Sequence, residues 1–465
     1  MNFDIIIIGS GPGGYVAAIR AAQLGLKTAV IERSELGGIC LNWGCIPTKA
    51  LLKSAQVYNY ASHAASYGLT IDGNIKANLP EIVERSRGVA AQMSKGVEFL
   101  FQKNGITHIK GTGKLTADKK VDVIDNDGVK STYTSNNIIL ATGTRSKELP
   151  NLKQDGKKII GYREAMTLKE KPESMVIVGS GAIGSEFAYF FQSIGTQVTL
   201  VEFLPNIIPL EDEESSKNLE RVFKKMKMKV MTESAVTDVD TSEKISHIKI
   251  STKKGEVIID AEIVLSAVGV TTNIENLGLE NLNIKTEKGK IVVDDFYTTN
   301  VDGIYAIGDI VHGPALAHVA SKEGIICVEK IAGKNPEIID YNNIPSCTYT
   351  NPEVASVGMS EKVALEKAFE IRIGKFPFKA SGKATSAGNT DGFVKIIIDA
   401  KTDYILGCSM VGDNVTEMIS EIVLARKLGA KGKDLLDTVH PHPTMSEAVM
   451  EAIAASYGEA IHILN

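Results

Sequence analysis

Cys40 and Cys45 stand in the stretch Gly37–Leu52, Gly-Gly-Ile-Cys-Leu-Asn-Trp-Gly-Cys-Ile-Pro-Thr-Lys-Ala-Leu-Leu, and make up two of the chain's five cysteines. Two nearby thiols fit a redox disulfide, half of a metal site, or a pair of unpaired buried thiols, the usual state of cysteine inside a cell. On an undistorted helix their Cα atoms would lie roughly 8–9 Å apart. A disulfide spans only about 4.4–6.8 Å. A bond between them therefore requires the backbone to tighten or kink, which Asn42 and Gly44 permit. Pro47 suits the first turn of a helix that continues through Lys49 to Leu52. Cys45 then sits near a helix N-terminus, where the positive end of the dipole stabilises a thiolate. A strained pair with one activated thiol suits electron transfer better than stapling. No second Cys/His pair at ligand spacing accompanies it, so no metal centre is expected.

A second candidate is His440-Pro441-His442-Pro443-Thr444-Met445-Ser446-Glu447. The prolines restrict the backbone around His442. Glu447 can orient its imidazole and raise its basicity. The spacing fits a capping box equally well, with Glu447 capping an apolar helix from Ala448 to Ala455 and both histidines in an ordinary loop. Spacing alone leaves catalysis and capping open.

The elements that must carry these residues include a duplication. Ile5–Ile8 runs into Gly9-Ser10-Gly11-Pro12-Gly13-Gly14, then a small-residue helix, a strand Thr28–Ile31 and Glu32. Met175–Val178 runs into Gly179-Ser180-Gly181-Ala182-Ile183-Gly184, then a helix, a strand Gln197–Val201 and Glu202. Every landmark recurs 170 positions on, Gly9 as Gly179 and Glu32 as Glu202. One GxGxxG is weak, but two in the same strand–turn–helix context predict two bound dinucleotides. Gly9, Gly11, Gly179 and Gly181 permit the tight turn and close approach of a pyrophosphate, and Gly14 and Gly184 let helix and strand pack. Free N–H groups at the helix start bind phosphates. Glu32 and Glu202 accept ribose hydroxyls. Glu202 would repel a 2′-phosphate, and Phe203-Leu204-Pro205 supplies no arginine to accept one, which favours NAD over NADP. Glu186, an acid among Phe187, Ala188 and Phe190, is either a solvated residue or a buried partner for a cation.

Buried strands are expected at Ile138–Leu140, ending near Gly143, at Ile263–Val268, ending at Gly269, and at Ile304–Ile307, meeting Gly308-Asp309. Residues 145–150 read as an exit linker, and the acidic run Glu211–Glu214 as a solvated helix start. From Tyr341 strands and helices alternate without a nucleotide fingerprint. The expected fold class is α/β: two duplicated Rossmann-like dinucleotide-binding domains plus a C-terminal α+β dimerisation domain. The boundaries are 1–146 (first nucleotide domain, first part), 147–272 (second nucleotide domain), 273–341 (a central domain completing the first nucleotide site) and 342–465 (interface).

With 465 residues, 43% hydrophobic and 23% charged, the chain is ordinary globular protein. A net charge of −5 without a basic stripe gives no basis for a nucleic-acid partner. No apolar run is long enough to span a bilayer, and an odd, small cysteine count argues against a secreted disulfide scaffold. With no targeting segment visible ahead of Ile5, a cytoplasmic location is expected, or the mitochondrial matrix if a presequence has been removed.

The cysteine stretch, the paired fingerprints, Gly308-Asp309 and the HPHPTxSE run together resemble the flavoprotein disulfide oxidoreductases, along essentially the whole chain. Gly37–Leu52, Glu202 and Ser446-Glu447-Ala448 look most like their dihydrolipoyl dehydrogenase branch. The resemblance implies FAD in the first unit, with Gly143 and Asp309 on its flavin side, and NAD in the second, bounded by Gly269. It implies a Cys40–Cys45 redox disulfide, with Cys40 exchanging with substrate and Cys45 as the thiolate against the flavin. Lys49 resembles the flavin-contacting lysine, paired with the acid at Glu186, and His442 and Glu447 resemble the base dyad. The dyad would face the flavin of a second copy, so a homodimer is implied. The implied reaction oxidises dihydrolipoamide on a lipoyl-bearing domain, within a 2-oxoacid dehydrogenase complex (E2 core) or the glycine cleavage system. Relatives commonly carry arginine after Gly269; here Val270 departs from that pattern and bears on NAD affinity. Competing expectations are another NADH-dependent disulfide reductase of the family and a non-catalytic FAD/NAD-binding redox sensor.

Overall fold

The structure is a computed structural model that describes residues 2–464. It divides into two compact units. The first comprises the residues up to Leu51, Pro80–Lys147 and Gly269–Ile339; the second comprises Leu52–Leu79, Glu148–Val268 and the residues from Asp340 on.

At the centre of the first unit, strand Asn2–Ile8 pairs in parallel with Thr28–Glu32 on one side and Lys130–Leu140 on the other. Thr107–Lys110 continues the sheet beyond Thr28–Glu32, and Ile304–Ala306 flanks Lys130–Leu140, both in parallel. A parallel sheet covered on both faces needs near-continuous apolar strands, which is why four isoleucines stand in a row. Ile6, Ile8 and Leu140 enter one core, and Ile5, Ile7 and Ile139 the other. On the second face helix Pro12–Gln23 packs so tightly on Ala317–Ile331 that a Cβ on Gly324 would meet the carbonyl oxygen of Gly13 at 2.7 Å. The early half of Lys130–Leu140 pairs instead with an antiparallel hairpin, Thr112–Leu115 and Val121–Ile124. Residues 145–150 are not a plain linker. Thr144–Ser146 forms a ribbon with Val270–Thr272, its partner in register being far away in sequence.

The second unit repeats the pattern. Ser174–Val178 is flanked in parallel by Gln197–Val201 and Ile263–Ser266, with Lys229–Met231 and Ile159–Ile160 outside them. Ala235–Asp240, Ser246–Thr252 and Gly255–Ala261 form an antiparallel sheet. A further antiparallel sheet runs Ser346–Thr348, Glu353–Gly358, Ile405–Gly412, Phe393–Asp399, Ile371–Pro377. Two adjacent inner strands, Phe393–Asp399 and Ile405–Gly412, are buried at every residue, beneath helices Val415–Leu428 and Glu447–Tyr457. The mixed α/β class with two like nucleotide folds and an α+β portion is the one the sequence predicts. Among the described residues no helix is long and apolar enough to cross a membrane.

Candidate functional site

Helix Gly38–Trp43 carries Cys40 and stops at Gly44, whose φ of −144° and ψ of −115° are not helical; Cys45 then begins helix Cys45–Ser62. The required break is therefore present, and it lies at Gly44 alone. Asn42 is buried inside the first helix, its side-chain amide donating to the carbonyls of Leu36 (2.9 Å) and Gly38 (3.0 Å). Cys40 and Cys45 stand on either side of that break. Their side chains are in hydrogen-bond contact, which with burial raises the pKa of Cys40, while the Lys49 ammonium works the other way. Cys40 is half-buried; Cys45 is exposed.

The segment is braced by helix Leu79–Lys103. Arg85 donates to Ala50 O (2.8 Å), Ser86 Oγ to Pro47 O (2.9 Å) and Arg87 to Asn42 O. The Arg87 guanidinium also lies 3.9 Å from the Trp43 ring centre. Sequence reading missed these three residues, because an Arg-Ser-Arg run in an amphipathic helix carries no pattern that names its partners.

The two fingerprints repeat atom for atom. In the first, Ser10 N and Oγ donate to one Glu32 oxygen (2.9 and 2.7 Å) and Ser34 N to the other (2.9 Å). In the second, Ser180 N and Oγ donate to Glu202 (2.8 and 2.7 Å), and Leu204 N takes its other oxygen (2.8 Å). The serine between the first two glycines of each copy was the legible signal for this anchor. A Cβ at Gly14 would come within 2.0 Å of Gly9 O, and one at Gly184 within 1.9 Å of Gly179 O. Gly9 (φ 104°) and Gly179 (φ 95°) need the left-handed region. Gly11 and Gly181 differ. Their φ angles, −62° and −60°, suit any residue, and nothing lies within 4 Å of an added Cβ. Glycine there satisfies no contact of the protein's own, so the space fits an incoming phosphate. Both helices also begin without a side-chain cap, at Gly11 and Gly181. That leaves N–H groups for an anion. The residues fit dinucleotides in both places.

Asp309 lies in a short turn after Ile304–Ala306, where Thr144 Oγ1 donates to it (2.7 Å). The turn is anchored by Gly308 N donating to Glu323 (2.6 Å), a buried acid not singled out in the sequence. Gly143 (φ 64°), beside Thr144, and Gly269 (φ 112°) are both left-handed. Val270 is exposed on the ribbon. Glu186, in the second unit, is buried and accepts the amide of Tyr349 (3.0 Å).

His442 Nδ1 lies 2.8 Å from Glu447 Oε1, and Thr444 N donates to Glu447 Oε2 (2.8 Å). The imidazole is exposed. Thr444 Oγ1 donates to Pro441 O (2.7 Å) instead of capping the helix. Glu447 thus steadies the turn with one oxygen and orients His442 with the other. Burial works to raise the Glu447 carboxyl, but the Thr444 amide and His442 outweigh it and hold it below the ordinary range. His440 is buried against Glu421 (Nε2 to Oε1, 2.8 Å) and is not presented to a substrate.

Elsewhere, Cys327 and Cys408 are fully enclosed, and burial raises both thiols. Among the described residues no group of His, Cys, Asp and Glu could hold a metal ion.

Two family descriptions match the chain: Pyridine nucleotide-disulphide oxidoreductase over residues 3–324, and the dimerisation domain of the same family over residues 344–453. It is 47% identical to a dihydrolipoyl dehydrogenase of Rhizobium etli, covering 99% of each chain, and 44% identical to one of Bacillus subtilis, again covering 99% of each. Among solved structures it resembles LpdA from Mycobacterium tuberculosis (TM-score 0.91, 26% identity, 97% of this chain and 98% of that one). It also resembles the HOCl-induced flavoprotein disulfide reductase RclA from Escherichia coli (TM-score 0.86, 25% identity, 97% and 99%).

Proposed function

Because the chain belongs to the pyridine nucleotide-disulphide oxidoreductases, we propose that it oxidises dihydrolipoyl groups to lipoyl disulfides and reduces NAD. The observation that carries this reading is a thiol pair at a helix break, Cys40 and Cys45, in a chain that also presents an exposed, carboxylate-oriented imidazole, His442. FAD, when bound at the first fingerprint, supplies the two-electron path from the thiol pair to NAD at the second.

The protein's own residues then have distinct tasks. In the oxidised enzyme Cys40 and Cys45 are disulfide-bonded. His442 accepts a proton from one substrate thiol, and Glu447 stabilises the resulting imidazolium. The substrate thiolate attacks Cys40 Sγ, breaking its bond to Cys45 and forming a mixed disulfide. The second substrate sulfur attacks the first, the lipoyl disulfide leaves, and Cys40 departs with the remaining thiol proton. Cys40 and Cys45 have together gained two electrons. Cys45 takes the thiolate role, because it begins helix Cys45–Ser62, where the positive end of the dipole stabilises a negative charge. Ser10 and Ser180, through Glu32 and Glu202, hold the two nucleotide turns in shape before a nucleotide binds.

The match to a dimerisation domain supports a homodimer, in which the His442 of one copy serves the sulfurs of the other. The proposed partner is a lipoyl-bearing domain of a 2-oxoacid dehydrogenase core or of the glycine cleavage system, in the cytoplasm or a mitochondrial matrix. The test is anaerobic NAD reduction with dihydrolipoamide against glutathione and other dithiols. Rapid turnover with dihydrolipoamide alone is expected. Equal rates with glutathione would overturn the assignment.

A further inference from the structure

The acidic run Glu211–Glu214 does start a helix, with Glu213 exposed, but Asp212 within it is not solvated. Asp212 caps helix Glu213–Lys225, accepting from Glu214 N (3.0 Å), and is buried. Opposite it, from an inner strand of the antiparallel sheet, stands Lys395, 2% exposed in a strand buried at every position. A lysine so enclosed is tolerated only when its charge is paired. Its Nζ donates to Asp212 (3.2 Å), Glu214 (3.0 Å) and Glu361 (2.7 Å). Two flanking bonds tie the same segment to the same sheet: Ser346 Oγ to Glu211 (2.7 Å), and the Ser215 and Ser409 hydroxyls to each other (2.7 Å).

The segment bolted down in this way leads directly to the second fingerprint. Ile208 N donates to Ser180 O (3.0 Å), Glu211 N to Ile208 O (3.0 Å), and Ser216 Oγ to Ile207 O (2.6 Å). Ile208 is β-branched yet has φ of 40°. Such a residue holds a left-handed backbone only where its surroundings enforce it. The first unit shows what this place is for. There Gly37 N donates to Ser10 O (3.1 Å), and Gly38, at φ 60°, packs on the Cα of Gly11. The loop before Asp212 therefore lies over its fingerprint as Gly37-Gly38 lies over the other. Glycine supplies the conformation freely in one unit; in the other a strained isoleucine is held by distant contacts.

We propose that Lys395 is a positioning residue for the NAD site: through Asp212 it holds the strained Ile207–Ile208 turn against Ser180 of the second fingerprint. The inference rests on the assignment of NAD to that fingerprint. Lys395 is enclosed with its ammonium on three carboxylates, so it acts through Asp212 and not on a ligand directly.

The test uses FAD-loaded enzyme and three variants. Asp212→Asn keeps a good helix cap but loses the charge. Lys395→Met removes the cation, and Lys395→Met with Asp212→Asn removes both charges without leaving Asp212 buried and unpaired. NADH dissociation constants should rise by about tenfold, within the usual span of site-to-site coupling, and the amide of Ile208 should exchange faster with solvent deuterium without nucleotide. Flavin reduction by dihydrolipoamide in the absence of NAD should keep its rate. Should Lys395→Met not fold, Asp212→Asn and the double variant decide the matter. Unchanged NADH affinity with unchanged Ile208 exchange overturns the proposal, as does a parallel fall in the dithiol half-reaction, which would mark Lys395 as general scaffold. A wild-type enzyme that does not bind NADH would instead sink the assignment of the second fingerprint.

Discussion

Glu447 divides its two oxygens between Nδ1 of His442 and the amide of Thr444, each at 2.8 Å. The carboxylate that orients the imidazole therefore also fixes the turn that carries it, and the two roles cannot be removed separately by deleting the side chain.

His442→Gln should lower dihydrolipoamide oxidation by about 10²–10⁴-fold, the usual worth of a positioned base, while NADH-to-dye transfer continues. Comparable loss in both assays would refute the role of His442 as thiol base.

Glu447 also makes a statement about pH. Its folded-state pKa is depressed, so the stability it contributes is complete above the ordinary glutamate value of about 4.3 and is lost as pH falls through the lower folded value. Glu447→Gln should therefore cost stability at pH 7 and cost progressively less in acid. Urea titrations of both forms across pH 3–7 measure the difference; a gap that widens toward acid would contradict the sign.

Cys45→Ser should abolish dihydrolipoamide oxidation while FAD stays bound, visible as retained flavin absorbance through gel filtration. Concomitant loss of FAD would mean that the residue holds up the pocket as well as relaying electrons.

The glycines of each fingerprint should fall into two groups. Gly181→Ala meets no protein atom, so the melting temperature should hold while NADH binding weakens. Gly184→Ala drives a methyl group into Gly179 O and should destabilise the fold by about 1–3 kcal/mol, the cost of overpacking. Differential scanning calorimetry with NADH titration separates them, and equal melting losses would dismiss the phosphate reading of Gly181.

With Glu202 at the ribose, a 2′-phosphate would meet a carboxylate, and the following Phe203-Leu204-Pro205 supplies no arginine to offset it. Like-charge contact costs several kcal/mol, so kcat/KM should favour NAD over NADP by about 10²-fold or more. Parity between the two would show that Glu202 faces elsewhere.

What could be read in the chain was local. Ile5–Ile8, the Gly-Ser-Gly turns and the terminal glutamates lie within some twenty-odd residues of one another, and a parallel strand followed by a phosphate-binding helix constrains all of them at once. The break between Cys40 and Cys45 followed from chain geometry, though the burden fell on Gly44 and not Asn42. Misreadings came where a partner was remote. Asp212 looked solvated because Lys395 is 183 residues away. Residues 145–150 looked like a linker because their strand pairs with Val270–Thr272. The bracing by Arg85, Ser86 and Arg87 had no signature, since a charged helix face looks alike whether it meets water or carbonyl oxygens.

The placing of sulfur has a practical corollary. Cys327 and Cys408 are sealed in and hard to ionise, so a gentle alkylating reagent applied to native enzyme should pass them by. Reagent uptake then registers chiefly whether the working pair is open or closed, with Cys347 the one bystander to subtract, and the molecule carries its own indicator of oxidation state without any added dye.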